Sequence, residues 1–141
     1  RTRSKMANTM QLEILTPEHQ YYQGDVSSLT VKTYDGYITV LPHHVDYLGN
    51  VEISKLSLIA NNKHYVYAIS GGTIDISQSE NLIRLFVYAI ESPDEIDLER
   101  AIRAKENASK LLSQASSKRD SIRAEIKLKR ALNRIDVKSS H

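Results

Sequence analysis

The chain has 141 residues, with 19 Lys plus Arg against 17 Asp plus Glu, five Gly and no Cys. That length allows one domain, or a small domain with an appendage, and the lack of cysteine excludes disulfides, thiolate metal sites and cysteine nucleophiles. No run in the sequence approaches the ~20 apolar residues of a membrane span, and none has the form of a secretory signal, so membrane insertion is excluded and a reducing compartment is expected.

Residues 1–9 are expected to be a disordered or expression-derived lead, with Met6 or Met10 as the natural start. From Gln11 to Glu91 the pattern is β. Leu12, Ile14 and Thr16 alternate with polar neighbours until Pro17. Val26–Tyr34 is rich in β-formers, and Asp35-Gly36 is a tight-turn pair ahead of Tyr37–Leu41. Further strands are expected at Val51–Ala60, Lys63–Ser70, Gly72–Ser77 and Leu82–Ile90. Asn61-Asn62, Gly71-Gly72 and Ser79–Asn81 are the expected turns between them. Many short strands with regular turn signals predict an all-β sandwich or flattened barrel over residues 10–92.

At Ser92 the period changes. Ser92-Pro93-Asp94-Glu95 has the form of a helix start, and Asp97 is an alternative cap one turn later. Ala101, Ala104, Ala108, Leu111 and Ala115 recur at helical spacing, and a second stripe follows at Ala124, Leu128, Ala131 and Ile135. With a weak break at Ser113–Ser117, residues 93–141 are predicted to form an α-helical antiparallel hairpin. An alanine seam buries little area, so the hairpin is expected to open easily.

Charge is unevenly placed. Residues 6–93 carry a net charge of −5, whereas the segment from Lys110 onward carries +6. An acidic body with a basic tail suggests that the tail meets something negative, although a solvated helix face is the common meaning of such runs. No Gly-rich phosphate loop, dinucleotide fingerprint or nucleophile elbow is present. His43-His44 with Asp46 nearby lacks the spacing of a metal site, and loop packing is the expected role. One constellation stands out. Arg123, Lys127, Arg130 and Arg134 form one narrow cationic stripe, Asp97 and Arg100 share a face of the first helix, and Glu91 ends the preceding strand. Guanidinium forks take phosphate oxygens and carboxylates accept from ribose hydroxyls or an amine, so such a set can hold a nucleotide without a phosphate loop. From the pattern alone, surface ion pairs are the simpler account.

Several segments together resemble a known family. Ile14-Leu15-Thr16-Pro17, Tyr22-Gln23-Gly24-Asp25-Val26, Asp35–His44, Ala68–Ile76, Ile96-Asp97-Leu98-Glu99-Arg100-Ala101 and Lys129–Arg134 are similar, in order and spacing, to the epsilon subunit of the bacterial F-type ATP synthase. The departures are Tyr37 and His43, where the family has Glu and Gly, and Asn107, where some nucleotide-binding members carry Arg. The resemblance implies a non-catalytic central-stalk subunit whose β-sandwich joins gamma to the c-ring. It implies a mobile helical hairpin that lies folded on the sandwich or extends toward the alpha/beta hexamer and restrains ATP hydrolysis. It places the chain peripherally on the cytoplasmic face of the membrane, with no required cofactor and ATP as a regulatory ligand. Within that ligand site, Arg100, Arg130 and Arg134 are expected on the phosphates, Glu91 and Asp97 around the base, and Ile96 and Ala101 in apolar contact. The competing class is a basic-tailed nucleic-acid-binding module. Residues 110–141 offer no aromatic side chain on which a base could stack, so nucleic acid is not an expected partner.

Overall fold

Alternation of apolar and polar side chains becomes alternation of buried and exposed positions when a strand has one face on a core. The computed structural model describes residues 8–140, so Met6, one of the two candidate starts, and most of the expected lead lie outside the described residues. β1 (Met10–Leu15) turns Met10, Leu12 and Ile14 inward, β3 (Ser28–Thr33) turns Leu29, Val31 and Thr33, and β7 (Leu82–Val87) turns Ile83, Leu85 and Val87. The remaining strands are β2 (Gln20–Val26), β4 (Gly36–Val40), β5 (Tyr47–Ala60), β6 (Lys63–Ser77) and the short β8 (Ile90–Glu91). The sheet follows the path β2-β1-β7-β6-β5-β3-β4, antiparallel except where β1 runs parallel to β7. All seven strands on this path contribute to one core cluster, from Leu12 and Leu29 to Leu58, Ile74 and Leu85. The sheet therefore folds over upon itself as a sandwich and stays open, since β2 and β4 each have a single partner.

Two sequence expectations change. Gly71-Gly72 is not a turn between two strands but a point inside the continuous β6. There Gly72 pairs with Val51 on one side and Val87 on the other, and a Cβ built on it would stand 1.8 Å from the carbonyl oxygen of Phe86. Glycine is required by the close approach of the neighbouring backbone, which produces the same local signal as a turn. The expected strand Leu82–Ile90 is the second change: β7 ends at Val87 and a short β8 follows at Ile90–Glu91. β2 lies within the stretch expected to be β, although Gln20–Val26 has no two-residue alternation because only Val26 is fully buried. The β5–β6 turn does fall at Asn61-Asn62, both at positive φ (53° and 62°). The β3–β4 turn is Tyr34-Asp35, closing on Gly36 at φ 115°.

The chain divides into two compact units after Ile90, two residues ahead of the expected boundary. The second unit begins with a single 3₁₀ turn, Pro93–Glu95, and continues as α1 (Leu98–Gln114) and α2 (Lys118–Ser139). Both candidate caps are used. Ser92 precedes the 3₁₀ turn, and Asp97 caps α1 by accepting from the Arg100 N–H at 3.1 Å. Ser117 caps α2 through the Asp120 N–H at 3.1 Å. The helices carry buried alanines at Ala101, Ala108, Ala124 and Ala131. Among the described residues no helix is long and apolar enough to cross a membrane.

Candidate functional site

The seven residues from Glu91 to Asp97 position the site. Proline at 93 presets the 3₁₀ turn, and the Glu95 carboxylate holds its start by accepting from the Ser92 N–H at 2.8 Å. Ile96 is buried, which anchors the linker, and Asp97 is then spent on its own helix through the cap. The Asp97 and Arg100 side chains rise from the first turn of α1 beside Ala101, whose small side chain leaves room above the seam.

These groups line a cavity of about 440 Å³, bounded by Glu91, Glu95, Ile96, Asp97, Arg100, Ala101, Ala104 and Arg134. That size falls within the ~300–1,000 Å³ of small-molecule sites. Six of the seven expected residues converge here. The seventh, Arg130, is exposed on α2 and does not line the cavity. Arg134 is engaged: its Nε donates to Glu91 Oε1 at 2.6 Å. Arg100 has no ion-pair partner among the described residues and is the cation open to a ligand. Glu95 and Ala104 escaped the sequence reading because their spacing already explained them as a capping residue and a seam residue. Lys138 was likewise hidden in the basic run, yet its Nζ donates to the Pro93 carbonyl at 2.9 Å.

Two guanidinium groups and three carboxylates around one opening suit a ligand with both an anionic end and hydrogen-bond donors. The cationic stripe does not act as one feature. Arg134 belongs to this cavity, whereas Arg123 and Lys127 line a separate one of about 290 Å³ beside the α1–α2 turn, with Asp120.

In the β unit the notable surface is apolar. Tyr34, Tyr37, Leu41, Val45 and Leu48, all in one short stretch of sequence, are exposed, with Tyr34 at 90%. Lys32 Nζ sits 5.9 Å from the centre of the Tyr37 ring, within cation–π range. The His43–Asp46 loop is tied down through Asp46, which accepts from the Gln78 N–H at 2.7 Å. His44 Nδ1 lies 3.3 Å from the Val45 carbonyl oxygen. Among the described residues no group of three or more His, Cys, Asp or Glu is arranged to hold a metal ion.

Residues 9–91 match the family described as ATP synthase, Delta/Epsilon chain, beta-sandwich domain, and residues 94–139 match its long alpha-helix domain. The chain is 35% identical over 130 residues to the ATP synthase epsilon chain of Halalkalibacterium halodurans, covering 92% of this chain and 96% of that one. It is 36% identical over 126 residues to the ATP synthase epsilon chain of Ruminococcus albus, covering 89% and 93% respectively. Among solved structures, a chain of the Euglena gracilis mitochondrial ATP synthase (OSCP/F1/c-ring) superposes with a TM-score of 0.81 at 22% identity, covering 95% of this chain and 82% of that chain. At that identity the likeness is one of fold.

Proposed function

This chain belongs to the ATP synthase delta/epsilon family as a non-catalytic epsilon subunit of the bacterial F-type enzyme, and on that premise we propose that it works as a central-stalk coupler with a nucleotide-responsive brake. The β unit joins gamma to the c-ring, using the exposed apolar stretch from Tyr34 to Leu48. The helical unit extends toward the alpha/beta hexamer, where the exposed cations of α2 meet acidic side chains and restrain ATP hydrolysis. The complex holds the chain peripherally on the cytoplasmic face of the membrane.

The regulatory ligand is ATP, taken by the cavity between the linker, α1 and α2. Arg100 and Arg134 hold phosphate oxygens, with Arg130 contributing from the neighbouring turn of α2. Glu91 and Asp97 accept from the base or ribose, and Ile96 and Ala101 line the floor. The observation that carries this reading is the convergence of groups more than thirty residues apart in sequence, Glu91 to Arg100 with Arg134, on one cavity. Such a site exists only while the hairpin is closed, so binding favours the closed form by differential affinity.

Deleting residues 94–141 tests the brake. The truncated chain is expected to assemble with gamma and the c-ring, keep hydrolysis coupled to proton transport, and raise the hydrolysis rate of the complex. An unchanged rate, under conditions where the full chain inhibits, refutes it. Nucleic-acid binding by the basic tail is the rival reading, and it requires a steep salt-dependent affinity for DNA in the isolated chain.

A further inference from the structure

The helical hairpin is closed covalently at one end only, by the short turn between Gln114 and Lys118. Along its length the buried seam residues are Ala101, Ala108, Ala124 and Ala131, with Val137 buried near the open end of α2. Alanine faces let helices approach closely but remove little apolar area from water, so at the open end Val137 is the one larger aliphatic side chain of the two helices that is buried among the described residues.

At that open end the structure supplies a different kind of contact. The linker that leads into α1 lies against the last turns of α2 and is bonded to it twice. Glu91 Oε1 accepts from Arg134 Nε at 2.6 Å, and the Pro93 carbonyl accepts from Lys138 Nζ at 2.9 Å. The two donors are one helical turn apart, and the two acceptors are two residues apart, so the pair forms a clasp across 43 and 45 residues of sequence. The linker is itself anchored by buried Ile96 and by the Asp97 cap. Tension on the clasp is therefore transmitted to the first turn of α1.

We propose that Glu91–Arg134, supported by Lys138–Pro93, is an electrostatic latch that sets the closed-to-open ratio of the hairpin when no ligand is bound. Both partners of the ion pair are about one-third exposed, at 36% and 30%. The pair is consequently short enough to be directional yet open enough to water to be reversible and weakened by salt. The latch does not depend on nucleotide binding and stands or falls separately from it.

The test is a distance measurement on the full chain without nucleotide. The chain has no native cysteine, so Arg103→Cys and Lys129→Cys, both at exposed positions, take spin labels on α1 and α2 alone. Electron–electron resonance is expected to give one dominant short distance at low salt. Glu91→Gln should raise the open-to-closed ratio about fivefold, and Arg134→Gln should do the same. Roughly 0.5 M NaCl should shift the parent chain in the same direction and leave Glu91→Gln almost unmoved. The charge-swapped double variant, Glu91→Arg with Arg134→Glu, should recover the short distance. A Glu91→Gln distribution identical to the parent overturns the latch, as does an equal response of both proteins to salt. Loss of helical circular dichroism in the variants also overturns it, because a latch changes helix spacing and not helix content.

Discussion

Arg100→Ala separates ligand binding from folding more cleanly than any other change in the cavity. The Arg100 side chain has no ion-pair partner among the described residues, and the bond it makes to Asp97 comes from its backbone N–H, which alanine retains. Alanine is also a good helix former, so the stability of the helical unit should stay within ~0.5 kcal/mol of the parent. If Arg100 donates to a phosphate oxygen, its loss removes a charged hydrogen bond of ~1.5–3 kcal/mol and raises the ATP dissociation constant about 10- to 150-fold. Arg134→Ala is expected to behave differently. It removes a phosphate contact and also leaves Glu91 without the partner it has at 2.6 Å, so binding and stability should fall together. Arg130→Ala removes a cation that stands outside the cavity, and a screened loss of ~0.5–1 kcal/mol, roughly two- to fivefold in affinity, is expected. Calorimetric titration of ATP into the three variants, with thermal unfolding of each, resolves the order. The reasoning is refuted if Arg100→Ala titrates like the parent, or if millimolar ATP moves no parent resonance from Ile96 to Ala101.

Two further outcomes concern the β unit. Gly72→Ala should destabilise it by about 2–3 kcal/mol in urea unfolding, because the new Cβ would stand 1.8 Å from the Phe86 carbonyl oxygen and force β6 and β7 apart; an unchanged midpoint would show that the strands have room to separate. Tyr22 has its pKa raised above the usual 10.0 by burial first, then by Tyr65 and Asp25. The folded chain thus holds that proton more tightly than the unfolded one, so the contribution is present below pH 10 and is lost as the pH rises through the folded value. Tyr22→Phe should flatten the alkaline loss of stability between pH 9 and 11, read by urea unfolding, and an identical slope in both proteins would exclude Tyr22 as its source.

The β-then-helix order was legible in the residues because period and turn chemistry are local. Met10, Leu12 and Ile14 are buried at every second position, Asn61-Asn62 makes its turn, and alanines recur along the helices wherever the seam runs. The cavity was legible for a narrower reason: Asp97 and Arg100 are three apart on one helix, and an intrahelical spacing fixes which side chains share a face. Arg130 and Arg134 share a stripe by the same rule, yet only Arg134 reaches the linker. Spacing along α2 says nothing about where the axis of α2 stops relative to residues 91–97, and the packing of the alanine seam decides that.

Chain order, the capping residues, the alternating strands and the charge asymmetry between the two halves belong to the sequence alone, since each depends on neighbours a few residues away. The tertiary structure decided what depends on distant backbone. It made Gly72 a point of close contact inside β6 rather than a turn, because the carbonyl of Phe86 occupies the space a side chain would need. It made an edge strand of Gln20–Val26 without any periodic signal, because one partner strand and a single fully buried residue were enough to hold it. It also joined Glu91 to Arg134 across 43 residues, a pairing that no local pattern encodes, because it exists only once two helices have packed side by side.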